Sequence, residues 1–471
     1  MSGQVAWSYD AELRVATESA AGVALSMTYD NDDLITAAGP VALTRSAQNG
    51  LVTSVAVGSV VEAVGYDQVE GPTTRKYGEP SRHTVTAGAT TLYDLALDRD
   101  ALGRIVRRTE TLNGENRVYE YGYDLAGRLA SVSVDGSVTA TYTYDANGNR
   151  LTEDGTTVVG VYDAQDRIVS YAGTTYAHDA NGNRLSETSG GLTKTYEHDA
   201  QGTLRAATVG GTAVKYVVDG SARRLVRTEG ATTTNQWLYR DDLQIAAELD
   251  GAGAVRWRFV YAAGKHVPDG AIDGAGVAHR IVTDQVGSLR LVVRASDGVV
   301  VQRMRHDAWG RVEEDFVAAG TARVPFGFAG GIYDRGTGLV HFGAREYDPG
   351  VGRWTSKDPI GFQGRSSNLY EYVGDRPLDR VDPSGKFLVI FDEEETCAVL
   401  AALGLECPWG PPDPVPADAC LEDDPDTCKR DCDATHDADH AYCGTLPTKK
   451  ERALCRAEAN QRYGACLKKC K

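Results

Sequence analysis

Large and polar side chains alternate along much of this chain. Tyr119, Tyr121 and Tyr123 would share one face of an extended strand, and Tyr142 and Tyr144 repeat the spacing. A period of two in β-forming residues is typical of strands. Each alternating run ends at a turn signal, so the pattern predicts a long series of antiparallel hairpins.

One short phrase recurs between these runs: Asp, two residues, Gly, a polar residue, then Leu or Ile. It begins at Asp100, Asp124, Asp145, Asp179 and Asp199, with degenerate copies at Asp163 and Asp219. Asp first and Gly fourth suit a type I turn, because the carboxylate caps the turn and glycine tolerates its exit geometry. Calcium ligation or sugar stacking is the alternative, but each turn supplies about one carboxylate. We predict no metal and no cofactor here.

Charge and composition argue against two classes of function, nucleic-acid binding and membrane spanning. The 471 residues carry a formal net charge of −17, and no basic stripe is visible that would bind nucleic acid. No run approaches the roughly 18 apolar residues of a membrane span, and the first residues lack a signal-peptide pattern. All nine cysteines lie between Cys397 and Cys470, which divides the chain into two differently built parts.

Longer phrases follow the repeats. They include TDQVGSLRLVV (283–293), HDAWGRV (306–312), the run from Pro325 to Gly361, and NLYEYVGDRPLDRVDPSG (368–385). These closely resemble the Rhs repeat-associated core domain, and the DxxGR/NRL repeats resemble the YD repeats of Rhs proteins, Tc toxin C components and teneurins. The resemblance implies a mainly β fold, a YD-repeat β-solenoid or spiral shell that holds a variable C-terminal segment, often a toxin.

We therefore predict four parts: a repeat array over 1–282, the Rhs core domain over 283–385, a Pro-rich linker over 386–419, and a Cys-rich tail over 420–471. About 385 residues at about 10 per strand and turn make roughly 38 strands, wound once. One such turn cannot seal a cavity at both ends. We expect either a missing N-terminal shell half or a second shell subunit.

The two DPxG motifs are the sharpest catalytic candidates. The resemblance implies that Asp358 and Asp382 act as an aspartyl-protease-like pair, tuned by Arg345, which cuts the chain just after the second motif, at Gly385 and Lys386. Two adjacent carboxylates cannot easily both ionise, so one serves as acid and the other as base. The family has an apolar residue where this chain has Lys386. The alternative is that both motifs are only turns.

The last six cysteines are spaced as a palindrome, with intervals of 4, 11, 12, 11 and 4. Helical periodicity places three of them on one face of each of two arms. We predict a two-helix hairpin with three disulfides, joining Cys428 to Cys470, Cys432 to Cys466 and Cys443 to Cys455. Cys397, Cys407 and Cys420 leave an odd thiol. Zinc held by Cys432, His436, His440 and Cys443 is the competing reading.

The predicted role is the shell of a bacterial secreted toxin or intercellular competition system, with possible self-cleavage and an immunity protein as a possible partner. Disulfides imply an oxidising destination, the cell surface or exterior, reached by a specialised route. The rival from another class is a cell-surface adhesion or carbohydrate-binding repeat protein without catalytic activity. An inactive genomic remnant is a weaker third alternative.

Overall fold

The structure, a computed structural model, describes residues 4–66, 79–364, 366–386 and 389–390. These ranges form 37 strands, joined by antiparallel pairing between neighbours in sequence. The predicted mainly β fold is confirmed. The predicted disulfides, the zinc alternative and the two-helix tail lie outside the described residues, as does most of the linker.

The first large sheet has 13 strands in sequence order. They are β1 Val5–Tyr9, β2 Val15–Ala20, β3 Val23–Tyr29, β4 Ile35–Ala38, β5 Val41–Arg45, β6 Val52–Val57, β7 Val60–Tyr66, β8 Pro80–Ala87, β9 Thr90–Arg99, β10 Ile105–Leu112, β11 Glu115–Tyr123, β12 Leu129–Val134 and β13 Ser137–Thr141. A two-stranded sheet follows, β14 Thr143–Tyr144 and β15 Arg150–Thr152.

The second large sheet has 16 strands, again in sequence order. They are β16 Gly160–Tyr162, β17 Ile168–Tyr171, β18 Thr174–His178, β19 Arg184–Ser189, β20 Leu192–His198, β21 Leu204–Val209, β22 Thr212–Val218, β23 Arg224–Glu229, β24 Thr232–Tyr239, β25 Ile245–Asp250, β26 Val255–Val260, β27 Gly270–Asp273, β28 Ala278–Thr283, β29 Leu289–Arg294, β30 Val300–His306 and β31 Val312–Val317.

Two small sheets complete the described fold. They are β32 Ile332–Asp334, β33 Leu339–Phe342, β34 Arg345–Asp348 and β35 Arg353–Trp354, then β36 Arg380–Val381 and β37 Val389–Ile390. Three short 3₁₀ helices lie at Phe328–Gly330, Gly361–Gly364 and Val373–Asp375. Among the described residues, no helix is long and apolar enough to cross a membrane.

Each repeat turn is closed by its own aspartate. The Gly127 N–H donates to the Asp124 carbonyl at 3.0 Å, and Arg128 donates to the Asp124 carboxylate from its backbone at 2.9 Å and from Nε at 2.7 Å. Arg128 then lies 4.6 Å over the ring of Tyr144, whose hydroxyl donates to the Leu129 carbonyl at 2.6 Å. The same Asp–Arg–Tyr ladder recurs from Asp10, Asp100 and Asp219. Local backbone and arginine contacts thus account for these aspartates.

Strands of the two large sheets contribute side chains to a common apolar core. Val85 and Leu95 of the first sheet share a buried apolar cluster with Leu291 and Val293 of the second. Burial of these four side chains in one cluster ties the first sheet to the second.

A second set of arginines, next to the turn exits, points into the protein. Arg150, Arg184 and Arg224 are at most 4% exposed. Arg184 Nη1 lies 2.5 Å from the Asp348 carboxylate, and Arg224 Nη2 lies 2.8 Å from Glu346. Arg150 lies against three aromatic rings. Arg184 and Arg224 thus fix β34 on the repeat strands, and so position the strand that begins with Arg345.

Candidate active site: two aspartates that share one arginine

The three residues predicted as catalytic come from separate elements. Arg345 begins β34, Asp358 lies in the loop after β35, and Asp382 directly follows β36. Both DPxG motifs are turns, since the Gly361 N–H donates to the Asp358 carbonyl at 3.0 Å and the Gly385 N–H donates to the Asp382 carbonyl at 3.2 Å. The turn reading and the site reading are therefore compatible.

The fold brings the three side chains together. Arg345 Nη2 lies 3.0 Å from Asp358 Oδ2 and 3.0 Å from Asp382 Oδ2. The two carboxylate oxygens are thus at most 6.0 Å apart, because both contact the same nitrogen. Arg345 and Asp382 are 4% and 3% exposed, and Asp358 is half-buried. One cation is shared between two carboxylates.

This sharing sets the electrostatics. Burial raises the pKa of Asp358 to about 6; the Asp382 carboxylate adds to the rise, and Arg345 opposes it. Burial lowers the pKa of Arg345, and both carboxylates oppose that change. A carboxyl group that titrates near 6 changes its protonation state under ordinary conditions, which suits acid–base work near neutral pH.

The backbone just after the second motif lies against these groups. Arg345 Nε donates to the Gly385 carbonyl at 2.5 Å, and the Lys386 N–H donates to Asp382 Oδ1 at 3.1 Å. Gly385 has a φ of +64°, and a Cβ there would lie 2.3 Å from the Phe342 carbonyl oxygen. Only glycine fits this close approach without a shift of the backbone. One peptide unit is therefore held by its oxygen and by its nitrogen.

Other residues that hold the site carry no motif of their own. The Arg345 guanidinium lies 4.1 Å over the Trp354 ring, and Arg345 Nη1 donates to the Leu369 carbonyl at 3.4 Å. The Asp358 N–H donates to the same carbonyl at 3.0 Å. Neither role was predicted from the sequence, where Trp354 and Leu369 stand out only by lying inside the long core-domain phrases.

Among the described residues, no group of three or more His, Cys, Asp or Glu side chains is placed to hold a metal ion. The residues brought together fit acid–base attack on a peptide carbonyl: two carboxylates, one shared guanidinium, and one backbone carbonyl that accepts a charged hydrogen bond.

Comparison with known proteins adds relatives in sequence. Teneurin-3 of Danio rerio is 26% identical over 304 residues, which cover 62% of this chain and 11% of teneurin-3. Double-stranded DNA deaminase toxin A of Burkholderia cenocepacia (strain H111) is 40% identical over 119 residues, which cover 24% of this chain and 8% of that toxin. The chain thus spans a small part of the length of these relatives.

Solved structures give the same fold. A chain of the Photorhabdus luminescens Tc holotoxin pore superposes with a TM-score of 0.65 over 82% of this chain and 21% of that one, at 18% identity. The family model described as Teneurin YD-shell matches residues 1–377, most of the chain and nearly all of its described strands. The protein belongs to the teneurin YD-shell family.

Proposed function

We propose that this protein is the shell component of a bacterial secreted toxin or intercellular competition system, and that it releases its C-terminal segment by aspartate-dependent self-cleavage. The observation that carries the proposal is the convergence of Arg345, Asp358 and Asp382 on the backbone at Gly385 and Lys386. A relative named as a deaminase toxin and a structural neighbour from a Tc holotoxin support the setting.

The contacts suggest which bond is cut. Arg345 polarises the Gly385 carbonyl, so its carbon is the point of attack by water. Asp382 takes a proton from that water and delivers it to the Lys386 nitrogen, 3.1 Å away, as the C–N bond breaks. Asp358 stays protonated, so the pair carries one negative charge and Asp382 can act as base. The products are a carboxylate at Gly385 and an amine at Lys386.

Intact mass spectrometry of the purified full chain tests this proposal. We expect a shell fragment that ends at Gly385 and a tail that begins at Lys386. Asp358→Asn and Asp382→Asn should each leave the chain uncut, because each removes one member of the pair. Asp124→Asn, at the first position of an array turn, is the matched control and should cut normally. An uncut wild-type chain, or cutting that survives both substitutions, would contradict the proposal.

We also propose the disulfide-stapled helical hairpin at 420–471, which no described residue tests. The same experiment addresses it, because three disulfides make the tail about 6 Da lighter before reduction than after it. A tail of equal mass in both conditions would exclude the pairing. Zinc ligation would instead appear as an added metal mass under native conditions.

A second shell subunit belongs to the proposal because β1 has a neighbour on only one side among the described residues. Trp7 and Tyr9 on this strand are 39% and 60% exposed. An unpaired strand edge is a ready site for strand addition. Trp7→Lys should weaken co-purification with such a subunit, whereas Leu125→Lys in an exposed array turn should not.

A further inference from the structure

The segment from Ser366 to Asp375 positions the candidate site. Its Leu369 carbonyl accepts the Asp358 N–H at 3.0 Å and an Arg345 N–H at 3.4 Å. One backbone oxygen therefore holds both the cation and one of the two acids. Any movement of this segment changes the geometry of the site.

Side chains on either side of Leu369 anchor the segment to the repeat turns. The Asn368 amide donates to Asn149 Oδ1 at 2.9 Å, and the Tyr370 hydroxyl donates to the Gly182 carbonyl at 2.8 Å. Both partners lie in DANGNR turns of the array. The array thus reaches the candidate site through this segment.

The end of the segment has an unusual backbone. Val373, Gly374 and Asp375 have φ values of 49°, 66° and 54°, all in the left-handed region. Such a conformation is costly for valine and aspartate, and it persists only where surrounding contacts enforce it. Something therefore holds Asp375 in place.

Two carboxyl groups lie next to this backbone and face one array turn. A Cβ built on Gly148 would lie 2.8 Å from Glu371 Oε1 and 3.3 Å from Asp375 Oδ2, so both oxygens face the same turn. Asp375 is 4% exposed, and no N–H or O–H among the described residues donates to its Oδ2. Glu371 Oε1 and Asp375 Oδ2 are thus at most 6.1 Å apart, because both lie next to the same point. Two desolvated carboxyl groups this close together cannot easily both be ionised, which favours one proton between them.

We propose that Glu371 and Asp375 share one proton, and that this protonated pair is the positioning element that holds Leu369 against Arg345 and Asp358. The inference deepens the proposed self-cleavage and rests on it for its consequence. The proton itself is a property of the folded shell and is testable without cleavage. Loss of the proton places two negative charges together and loosens the segment.

The surroundings fix the sign of the pH dependence. Burial raises the pKa of both carboxyl groups, and the Glu371 carboxylate raises the pKa of Asp375 further. The contact with Asp375 lowers the pKa of Glu371, and nearby arginines oppose the rise at both groups. The charged and titratable groups that face the pair are Arg128, Arg150, Arg353, Tyr144 and Tyr162, together with the Ser366 hydroxyl. Unfolded carboxyl groups titrate near pH 4, so the folded state binds more protons above that pH. Its stability falls as pH rises toward the pKa of the pair.

Thermal unfolding of the full chain tests the shared proton. An Asp358→Asn background keeps the chain intact, so this measurement does not depend on self-cleavage. Asp375→Asn supplies an N–H in place of the proton. The difference in unfolding temperature between this variant and its parent should therefore be more favourable to the variant at pH 8.5 than at pH 5, by at least about 2 °C. Asp100→Asn, in an array turn closed by Arg104, is the control and should change the unfolding temperature equally at both pH values. An equal loss for Asp375→Asn at both pH values would overturn the proposal.

The positioning role has a separate test in the cleavable chain. Asp375→Ala removes the contact and should slow self-cleavage at least tenfold at pH 6, where the wild-type pair holds its proton, whereas Asp375→Asn should recover most of that loss. Equal rates for the two variants would refute positioning by the pair. If Asp358→Asn leaves cutting unchanged, the proposed function fails instead, and the thermal test still decides the proton.

Discussion

Aspartates of the repeat array and aspartates of the candidate site occupy the same local turn and have different chemistry. Slight burial raises the pKa of Asp163 in the array, but hydrogen bonds from Gln165 and Arg167, which close its turn, lower that pKa by more. Asp358 is in a similar turn, but burial raises its pKa to about 6, and its cation is shared with Asp382. Turn sequence therefore sets the backbone, whereas burial and the sharing of one cation set the acidity.

Removal of the shared cation should give the largest difference between the two regions. Arg345→Met leaves two carboxylates without their cation, one of them deeply buried, and should lower the free energy of unfolding by about 3–5 kcal/mol. Arg104→Met, which removes the cation of one array turn, should cost about 1 kcal/mol or less. Urea denaturation followed by tryptophan fluorescence measures both. Similar losses in the free energy of unfolding would mean that the shared arginine stabilises the protein no more than the arginine of a single array turn.

The pH profile of self-cleavage should separate the two kinds of aspartate next. Asp358 loses its proton above pH 6, the pair then carries two charges, and the rate should fall about tenfold per pH unit. Because its folded pKa lies above the unfolded value, its contribution to stability also falls as pH rises from about 4 to 6. The full chain is synthesised at each pH, samples are quenched at timed intervals, and the fraction of cut chain gives the rate of self-cleavage. Asp163→Asn should leave the profile unchanged; a flat wild-type profile would argue against Asp358 as the titrating group.

Glycine substitutions should distinguish the turns by their surroundings. Gly385→Ala puts a Cβ 2.3 Å from the Phe342 carbonyl oxygen, whereas the nearest atom to a Cβ at Gly127 is 3.9 Å away. Both have positive φ, which costs about 1 kcal/mol, and Gly385→Ala adds about 1–3 kcal/mol of overpacking. Calorimetry should show the larger loss for Gly385→Ala, and mass spectrometry should show an uncut chain. Equal losses would disprove the close approach at Gly385.

The smallest expected effect lies wholly within the array. Ala222 occupies the turn position that the regular repeats give to glycine, with a φ of 66°. Ala222→Gly should stabilise the protein by up to about 1 kcal/mol, because glycine adopts this conformation without strain. Ala101→Gly, at a turn position outside the left-handed region, should instead destabilise slightly. A small rise in unfolding temperature for Ala222→Gly and a small fall for Ala101→Gly would confirm the left-handed conformation at residue 222.

Sequence reasoning reached the strands, the turns and three candidate residues, but not the support around them. The DxxG spacing acts over four residues, so it is readable from the sequence, and roughly 38 predicted strands compare with 37 described ones. The Leu369 carbonyl and the Glu371–Asp375 pair gave no such signal. A backbone oxygen is present in every residue, and only its surroundings give it a role.

The sequence by itself determined the antiparallel hairpins, because each turn is closed by an aspartate and, in several copies, by an arginine within the same short phrase. It also supplied Arg345, Asp358 and Asp382 as candidates, through a resemblance and not through their spacing. Only the tertiary structure decided that they meet at one guanidinium. Contacts between distant parts of the chain depend on how sheets pack and on inward arginines such as Arg184, and no local pattern encodes that geometry.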